Sequence, residues 1–415
     1  MEAERERYMM IKIPEKFIRE AYTKDNLCKN PAAYFYDLAI IRDNIRRLQN
    51  FLPAQTKLYY AMKANPHDAV LDCICNEDFI TGIEIASAGE LEAAGKFCAA
   101  ERIIFTGPGK TEYELGEAIK SGIRLINVES LAEAVRIDRI ARRLGKGKVD
   151  VLLRVNLDFP QIDGAENMTG YSTKMGVDEK DFLETYKEVC RLEGVRVKGI
   201  HAFAASGVLD DKILLRIDEY IFDFVEKLQS ETGEVSVIDF GGGLGIDYLK
   251  GIRQFDVEHY GKELKGLIER HGFGHKEIIM ELGTYLVGNA GYYTSEITDI
   301  KEIKGKKHII IAGGINHMGL PLEMRRQHPV ALISRDKPKL YAAQPSVRSE
   351  TADISGPLCI VSDKLSWDVR IEKADIGDIV VYTQAGAYCY GEGLVDFLMH
   401  ERPSEIVFDS KASVD

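Results

Sequence analysis

The chain of 415 residues lacks most of the features that would assign it a specialised class at sight. Its seven cysteines (Cys28, Cys73, Cys75, Cys98, Cys190, Cys359 and Cys389) are odd in number, and none are paired at the C-x-x-C spacing of a zinc site. That excludes a disulfide scaffold, points to no metal, and fits a reducing cytoplasm. No apolar run approaches membrane-spanning length. The first residues, Met1-Glu-Ala-Glu-Arg-Glu-Arg, are charged with no apolar core, so no secretory signal is expected there. Positive charge is not in excess: the formal net charge is −12, which argues against a general nucleic-acid or anionic-membrane binder. There is no low-complexity tract and no repeat of fixed period. What remains is an ordinary globular composition, 45% hydrophobic and 29% charged, long enough for two domains.

The organisation is read from periodicity. From Asp37 to Leu52, apolar residues Leu38, Ile41, Ile45, Leu48 and Leu52 are spaced by threes and fours, one face of a helix with Asp37 as N-cap. Strand-like runs follow at Lys57–Lys63, Gly82–Ser87, Arg102–Gly107, Arg124–Val128, Asp150–Asn156, Arg196–Ala204, Val235–Gly241 and Glu277–Gly283. Between them lie helical patterns, three of which open on capping boxes: Ser87-x-x-Glu90, Thr111-x-x-Glu114 and Ser130-x-x-Glu133. Alternating strands and helices mean a parallel sheet, and eight units of this size predict an α/β fold, a (β/α)8 TIM-type barrel. An open doubly wound sheet is the alternative. After about Thr284 the helical periodicity fades. Runs at Tyr292–Ile297, His308–Ala312, Val330–Ser334, Lys339–Ala343, Val369–Glu372 and Ile379–Tyr382 predict a mostly-β domain. The expected division is a barrel over 32–283 and a β-rich domain from 8–31 and 284–415.

Barrel chemistry gathers at the C-terminal ends of the strands. The first expected strand, Tyr59-Tyr-Ala-Met-Lys63-Ala-Asn65, ends in a lysine. Burial would lower its pKa and make the amine a nucleophile towards carbonyls; a lysine snorkelling from a strand end is the blander alternative. Glu84 and Ser87 end the second strand, His201-Ala-Phe203-Ala-Ala-Ser206 the sixth, Asp239-Phe-Gly241-Gly242-Gly243 the seventh, and Glu281-Leu-Gly283-Thr284 the eighth. Three successive glycines can expose backbone N–H groups to a phosphate, especially before a helix. A reactive lysine and a phosphate cradle on one rim suggest pyridoxal phosphate. His201 alone reads as a satisfied core histidine.

Together with Gly356-Pro-Leu-Cys359-x-x-x-Asp363 and Ala385-Gly-Ala-Tyr388, these motifs resemble the pyridoxal-phosphate decarboxylases of the alanine-racemase-like fold group. That group includes the ornithine, arginine and diaminopimelate decarboxylases, and the resemblance runs from about Pro31 to Tyr390. It implies that Lys63 forms the Schiff base with pyridoxal 5'-phosphate. It assigns Gly241, Gly242, Gly243, Ser206 and Tyr388 to the phosphate, and Glu281 to the ring nitrogen, which a carboxylate keeps protonated. Glu84, Phe203 and Gly283 join the cofactor-binding set. The resemblance further implies a homodimer in which Cys359 reaches the site of the other subunit and protonates the carbanion left by CO2 loss. Asp363 and Ile360 would lie near substrate.

Three departures from the family pattern stand out. Phe203 replaces the histidine that stacks on the cofactor; it can still stack but donates no proton. Thr284 stands where the family has a phosphate-binding arginine, a neutral hydroxyl in place of a charged fork. Ile360 follows the cysteine where the family has an acid that recognises a distal ammonium. Free ornithine, lysine and diaminopimelate therefore fit poorly, and a modified amino acid or one bound to a carrier protein fits better, as in the butirosin-pathway carrier-protein glutamyl decarboxylase. Arg325, beside Arg326, is a candidate for an anionic part of such a substrate. A racemase of the same fold and a non-catalytic decarboxylase-like binding protein are the alternatives. Glu281 opposes the first, and the joint presence of Lys63, Glu281, Cys359 and Tyr388 opposes the second.

Overall fold

The chain divides into two units: residues 42–245 with 255–286 in one, and residues 1–41, 246–254 and 287–415 in the other. A computed structural model describes residues 13–23, 31–162, 166–233, 235–248, 253–319, 327–339 and 341–412.

The first strand, β1 (Ala32–Asp37), is buried along its whole length. It pairs antiparallel with residues of the segment Gly291–Ile303 and parallel with Ser404–Phe408, so it belongs to the β-rich unit. The sequence reading placed residue 32 onward in the barrel. The error has a physical cause: an apolar strand followed directly by an amphipathic helix looks like any βα unit, and its pairing partners lie far along the chain. The helix is Leu38–Phe51, and Asp37 Oδ1 accepts the Ala39 N–H at 3.0 Å, as the N-cap reading requires.

Eight strands then form the barrel: β2 (Thr56–Ala61), β3 (Ile80–Ile85), β4 (Ile103–Phe105), β5 (Leu125–Val128), β6 (Val149–Asn156), β7 (Val195–His201), β8 (Val237–Asp239) and β9 (Glu277–Leu282). Every adjacent pair is parallel, and β9 pairs with β2, which closes the ring. The closed (β/α)8 barrel expected from the sequence is therefore present, and the open sheet is excluded. A two-residue strand, Val177–Asp178, adds to β6. Inside, Tyr59, Ile104, Leu125, Leu152, Val237 and Ile279 form one packed layer, contributed by six different strands. Each such side chain withdrawn from water is worth about 1.5–3 kcal/mol.

The helices between the strands carry the expected caps, with a difference. Thr111 and Glu114 make the full reciprocal box. Ser87 and Ser130 accept from the N–H of Glu90 and Glu133, but those glutamates reach one residue further back, to the N–H of Ala86 at 2.6 Å and of Glu129 at 2.9 Å. The acid thus fixes the peptide that leaves the strand as well as the helix start.

In the β-rich unit, strands β10 (Gly291–Ile303), β11 (Lys306–Ile311), β12 (Val330–Ile333), β13 (Ser346–Ser355), β14 (Lys364–Asp375) and β15 (Ile379–Tyr382) pair in the order β12-β15-β10-β11-β13-β14. β16 (Ser404–Phe408) joins through β1. The helix Glu15–Thr23 packs Ile18 and Tyr22 against Phe35, Tyr292, Ile379, Val381 and Phe408. β13 and β16 were not foreseen. The central residues of β13, Arg348 to Thr351, are exposed, so its pattern is charged rather than apolar. The strand expected at Lys339–Ala343 is not formed: residues 342–343 are a turn, Tyr341 is 54% exposed, and the Gln344 N–H donates to the Tyr341 carbonyl. Among the described residues, no helix is long and apolar enough to cross a membrane.

Candidate active site

All eight barrel strands end, or run out, in a polar residue. β2 continues into a 3-10 turn, Met62–Ala64, that carries Lys63. Glu84, Asn127, Arg154, His201, Asp239 and Glu281 lie in the C-terminal halves of β3, β5, β6, β7, β8 and β9, and Thr106 follows β4. The register puts them at one level: Ala61 lies opposite Glu84, Arg154 opposite His201, and His201 opposite Asp239.

Lys63 Nζ lies 2.5 Å from Glu84 Oε2, with the Lys63 side chain 42% exposed and Glu84 fully buried. The sequence reading expected a buried amine. The strand stops at Ala61, and the turn lifts the lysine to the rim, where a buried carboxylate anchors it and solvent reaches it. Gly283 keeps that turn close to β9: a Cβ there would lie 2.8 Å from the Ala64 Cβ.

Glu281 Oε1 accepts from Asn127 Nδ2 at 2.9 Å and from Thr106 Oγ1 at 3.2 Å. Asp239 Oδ1 accepts the Gly241 N–H at 2.8 Å, and Oδ2 lies 3.5 Å from the same Asn127 nitrogen. Burial pushes Glu281 well above the usual carboxylate range; the nearby Asp239 and Glu84 add to the rise and Lys63 opposes it. Burial also raises Asp239, to about 7, against the Gly241 N–H and a hydrogen bond from Glu281. Two like charges in one buried cluster oppose each other, which favours the neutral form of Glu281.

His201 is 1% exposed, and neither ring nitrogen has a hydrogen-bond partner among the described residues. It is therefore not the satisfied core histidine of the sequence reading. Nε2 stands 3.7 Å from Glu281 Oε2. Burial, then the positive charges of Arg154, Lys63 and Lys110, hold the ring neutral, well below the ordinary histidine range.

The glycines have two reasons to be glycine. A Cβ at Gly241 (φ 65°) would lie 2.7 Å from the Phe203 side chain, at Gly242 2.3 Å from the Glu281 carbonyl oxygen, and at Gly243 2.8 Å from the Ala205 carbonyl oxygen. Close packing thus accounts for all three. The N–H groups of Gly242 and Gly243 also find no partner among the described residues, which is the property an anion needs. The sequence reading favoured a helix directly after the run, but among the described residues none follows it before the helix that starts at Val257. Phe203 is half-buried in the loop after β7, and Ser206 is half-buried on the two-residue strand Ala205–Ser206, paired with Glu166–Asn167.

Thr106, Asn127, Arg154 and Asp239 were not chosen from the sequence. The signal was available, since each lies near the end of a strand-like run: Thr106, Asn127 and Arg154 belong to the three runs that were assigned no chemistry, and Asp239 was overshadowed by the glycines beside it. Arg154 pairs with Glu129 at 2.8 Å, both side chains almost wholly buried, and the other Glu129 oxygen accepts the Gly176 N–H at 2.6 Å.

In the β-rich unit, Cys359 is a free, exposed thiol in the loop between β13 and β14, and Ile360 beside it is half-buried. Asp363, expected near substrate, is 2% exposed. Its two oxygens accept the N–H groups of Ile315 at 2.8 Å and Leu358 at 2.7 Å, so its carboxylate shapes the Cys359 loop. Tyr388 is half-buried with a left-handed φ of 63°. Arg325 and Arg326 lie outside the described residues.

Residues 38–288 match the family model of the pyridoxal binding domain of pyridoxal-dependent decarboxylases. The chain is 31% identical over 376 residues to 2-[(L-alanin-3-ylcarbamoyl)methyl]-2-hydroxybutanedioate decarboxylase of Staphylococcus aureus, covering 90% of this chain and 93% of that protein. It is 29% identical over 385 residues to L-glutamyl-[BtrI acyl-carrier protein] decarboxylase of Niallia circulans, covering 90% and 88%. The solved structure of diaminopimelate decarboxylase from M. jannaschi superposes with a TM-score of 0.83 at 25% identity, covering 95% and 89%.

Proposed function

The chain belongs to the pyridoxal-dependent decarboxylases, and we propose that its substrate is a modified or carrier-bound α-amino acid rather than free ornithine, lysine or diaminopimelate. Its cofactor is pyridoxal phosphate. The barrel residues fit that group: an anchored amine at Lys63, a buried carboxyl at Glu281 for the ring nitrogen, an aromatic face at Phe203, and two N–H groups at Gly242 and Gly243 without partners among the described residues. Ser206 adds a hydroxyl to the phosphate set in this reading. When bound, pyridoxal phosphate supplies the sink for the electron pair released with CO2.

The chain's own residues do the rest. Glu84 orients the Lys63 amine through their ion pair, so the nucleophile need not search for its direction. Asn127 and Thr106 fix Glu281 Oε1 and leave Oε2 towards His201. Cys359 of the partner subunit holds the proton that replaces the carboxylate, an assignment supported by the exposure of its thiol.

The observation that carries the substrate reading is Ile360. An apolar side chain beside the thiol cannot pair with a distal ammonium, whereas an acylated or acidic distal group asks no charge of it. The similarity to decarboxylases named for an amide-linked substrate and for a carrier-bound glutamyl group supports the same reading.

The test is a comparison of CO2 release from free diaminopimelate, lysine and ornithine with release from an amide-linked diaminopropionate and from a glutamyl carrier protein. One modified substrate should exceed the free diamino acids by roughly 100-fold or more in kcat/KM. Comparable turnover of diaminopimelate would sink the substrate reading and leave the decarboxylase standing.

A further inference from the structure

The mechanism above uses Glu281 and leaves its buried neighbour Asp239 without a task. One carboxylate oxygen each of Asp239 and Glu281 and one ring nitrogen of His201 all lie within 4.8 Å of one another. Asn127 Nδ2 contacts both acids, and both His201 nitrogens lack a hydrogen-bond partner among the described residues. Two carboxyl groups joined by one amide and facing a bare imidazole are more than packing needs.

We propose that Asp239 is a positioning residue that keeps a proton on Glu281 until the cofactor's ring nitrogen arrives, so that the nitrogen is protonated from within the barrel and not from solvent. The inference rests on the cofactor and not on the substrate reading. The step balances simply. The O–H bond of Glu281 breaks, an N–H bond forms at the ring nitrogen, and the carboxylate left behind pairs with the new cation. No other reactant is required.

The charges that act on Glu281 are Asp239 and Glu84, which raise it, and Lys63, which opposes them; Lys110 and Arg154 act on the neighbouring His201. Lys63 is matched by Glu84 at 2.5 Å, Arg154 by Glu129 at 2.8 Å, and Lys110 by Glu133 at 2.8 Å. His201 is kept neutral. Among these groups Asp239 is therefore the charge without a matching cation, and its effect on Glu281 is not cancelled. Asp239 is itself held as the acceptor by the Gly241 N–H, which favours its charged form. The bond also ties the device to the glycine run: the peptide that starts the cradle orients the acid that governs the ring-nitrogen end.

The test counts protons. Cofactor-free wild type and Asp239→Asn are titrated with pyridoxal phosphate by calorimetry at pH 8, in two buffers of different ionisation enthalpy. Asp239→Asn frees Glu281 to ionise before binding, so its binding should take up more protons than wild type, by up to about one per site. Glu281→Gln in the Asp239→Asn background should remove that extra uptake. Equal proton counts in wild type and Asp239→Asn would overturn the proposal.

Wild type offers a second readout that does not depend on the variant folding. Difference infrared spectroscopy should show the carbonyl stretch of a buried, protonated carboxylic acid that disappears on adding cofactor and is missing in Glu281→Gln. If no such band exists before cofactor is added, Glu281 holds no proton and the proposal fails.

Discussion

At the barrel rim, Glu84 Oε1, Asn127 Oδ1 and both nitrogens of His201 are buried without partners among the described residues. In the β-rich unit only Asn316 Nδ2 and Thr383 Oγ1 are in that state among the described residues, and its buried acids and imidazoles are matched. Asp363 accepts two backbone N–H groups; His317 meets the Tyr293 hydroxyl at 3.0 Å and the Glu401 carbonyl at 2.8 Å; His328 meets the Thr383 carbonyl at 3.0 Å. Buried polar groups are equally costly in both places if left alone. The difference is that one set is completed by the fold and the other waits for a ligand. Buried polarity by itself does not mark a site; incomplete buried acids, amides and imidazoles gathered at the ends of the barrel strands do.

The contrast can be broken most severely at Lys63. Lys63→Ala should abolish covalent capture of the cofactor and lower decarboxylation by on the order of 1000-fold or more. Borohydride reduction followed by peptide mass spectrometry reads the capture directly, and persistent labelling of the variant would show that another amine does the work.

A smaller effect, on stability and not chemistry, is expected from Asp363→Ala. It strips two charge-assisted bonds from the Cys359 loop and should cost about 3 kcal/mol in urea unfolding. Labelling at Lys63 should survive in the folded variant. If cofactor capture falls while the unfolding midpoint stays put, Asp363 belongs with the incomplete set after all.

Asp218 is the intermediate case, buried between two outer helices with one donor, the Tyr260 hydroxyl at 2.7 Å. Burial raises it from 3.8 to about 7. A carboxyl raised on folding contributes stability below its unfolded value, and that contribution is lost as pH climbs from about 4 to about 7. Asp218→Asn carries no charge to bury. It should therefore gain up to about 4 kcal/mol over wild type at pH 8 and almost nothing at pH 4, read from the difference in Tm. A gain independent of pH would place its cause outside the ionisation of Asp218.

The barrel was legible because its strands alternate with helices at close range, and every strand is paired with a neighbour near in sequence. The β-rich unit was legible only where strands are apolar. β15 was read to the residue, whereas β13 escaped because its middle is exposed and charged, and β1 was misassigned because its partners are some 260 and 370 residues away. At the site, Lys63 and Glu281 stood out because a charge at the end of an apolar run is conspicuous. Asn127 and Thr106 are small and neutral, and a sequence cannot show that both point at the same carboxylate oxygen. His201 was read as satisfied because satisfaction is a property of neighbours, and none of its neighbours is nearby in the chain.

The glutamates that reach past their helix starts, Glu90 to Ala86 and Glu133 to Glu129, make strand, loop and helix a single mechanical part. An engineer recombining barrels would do well to cut ahead of each strand and never between a strand and its helix. A segment moved whole brings along the acid that sets its own exit peptide, and hence the aim of the functional group just before it. A segment cut at the loop leaves that aim to whatever helix it meets.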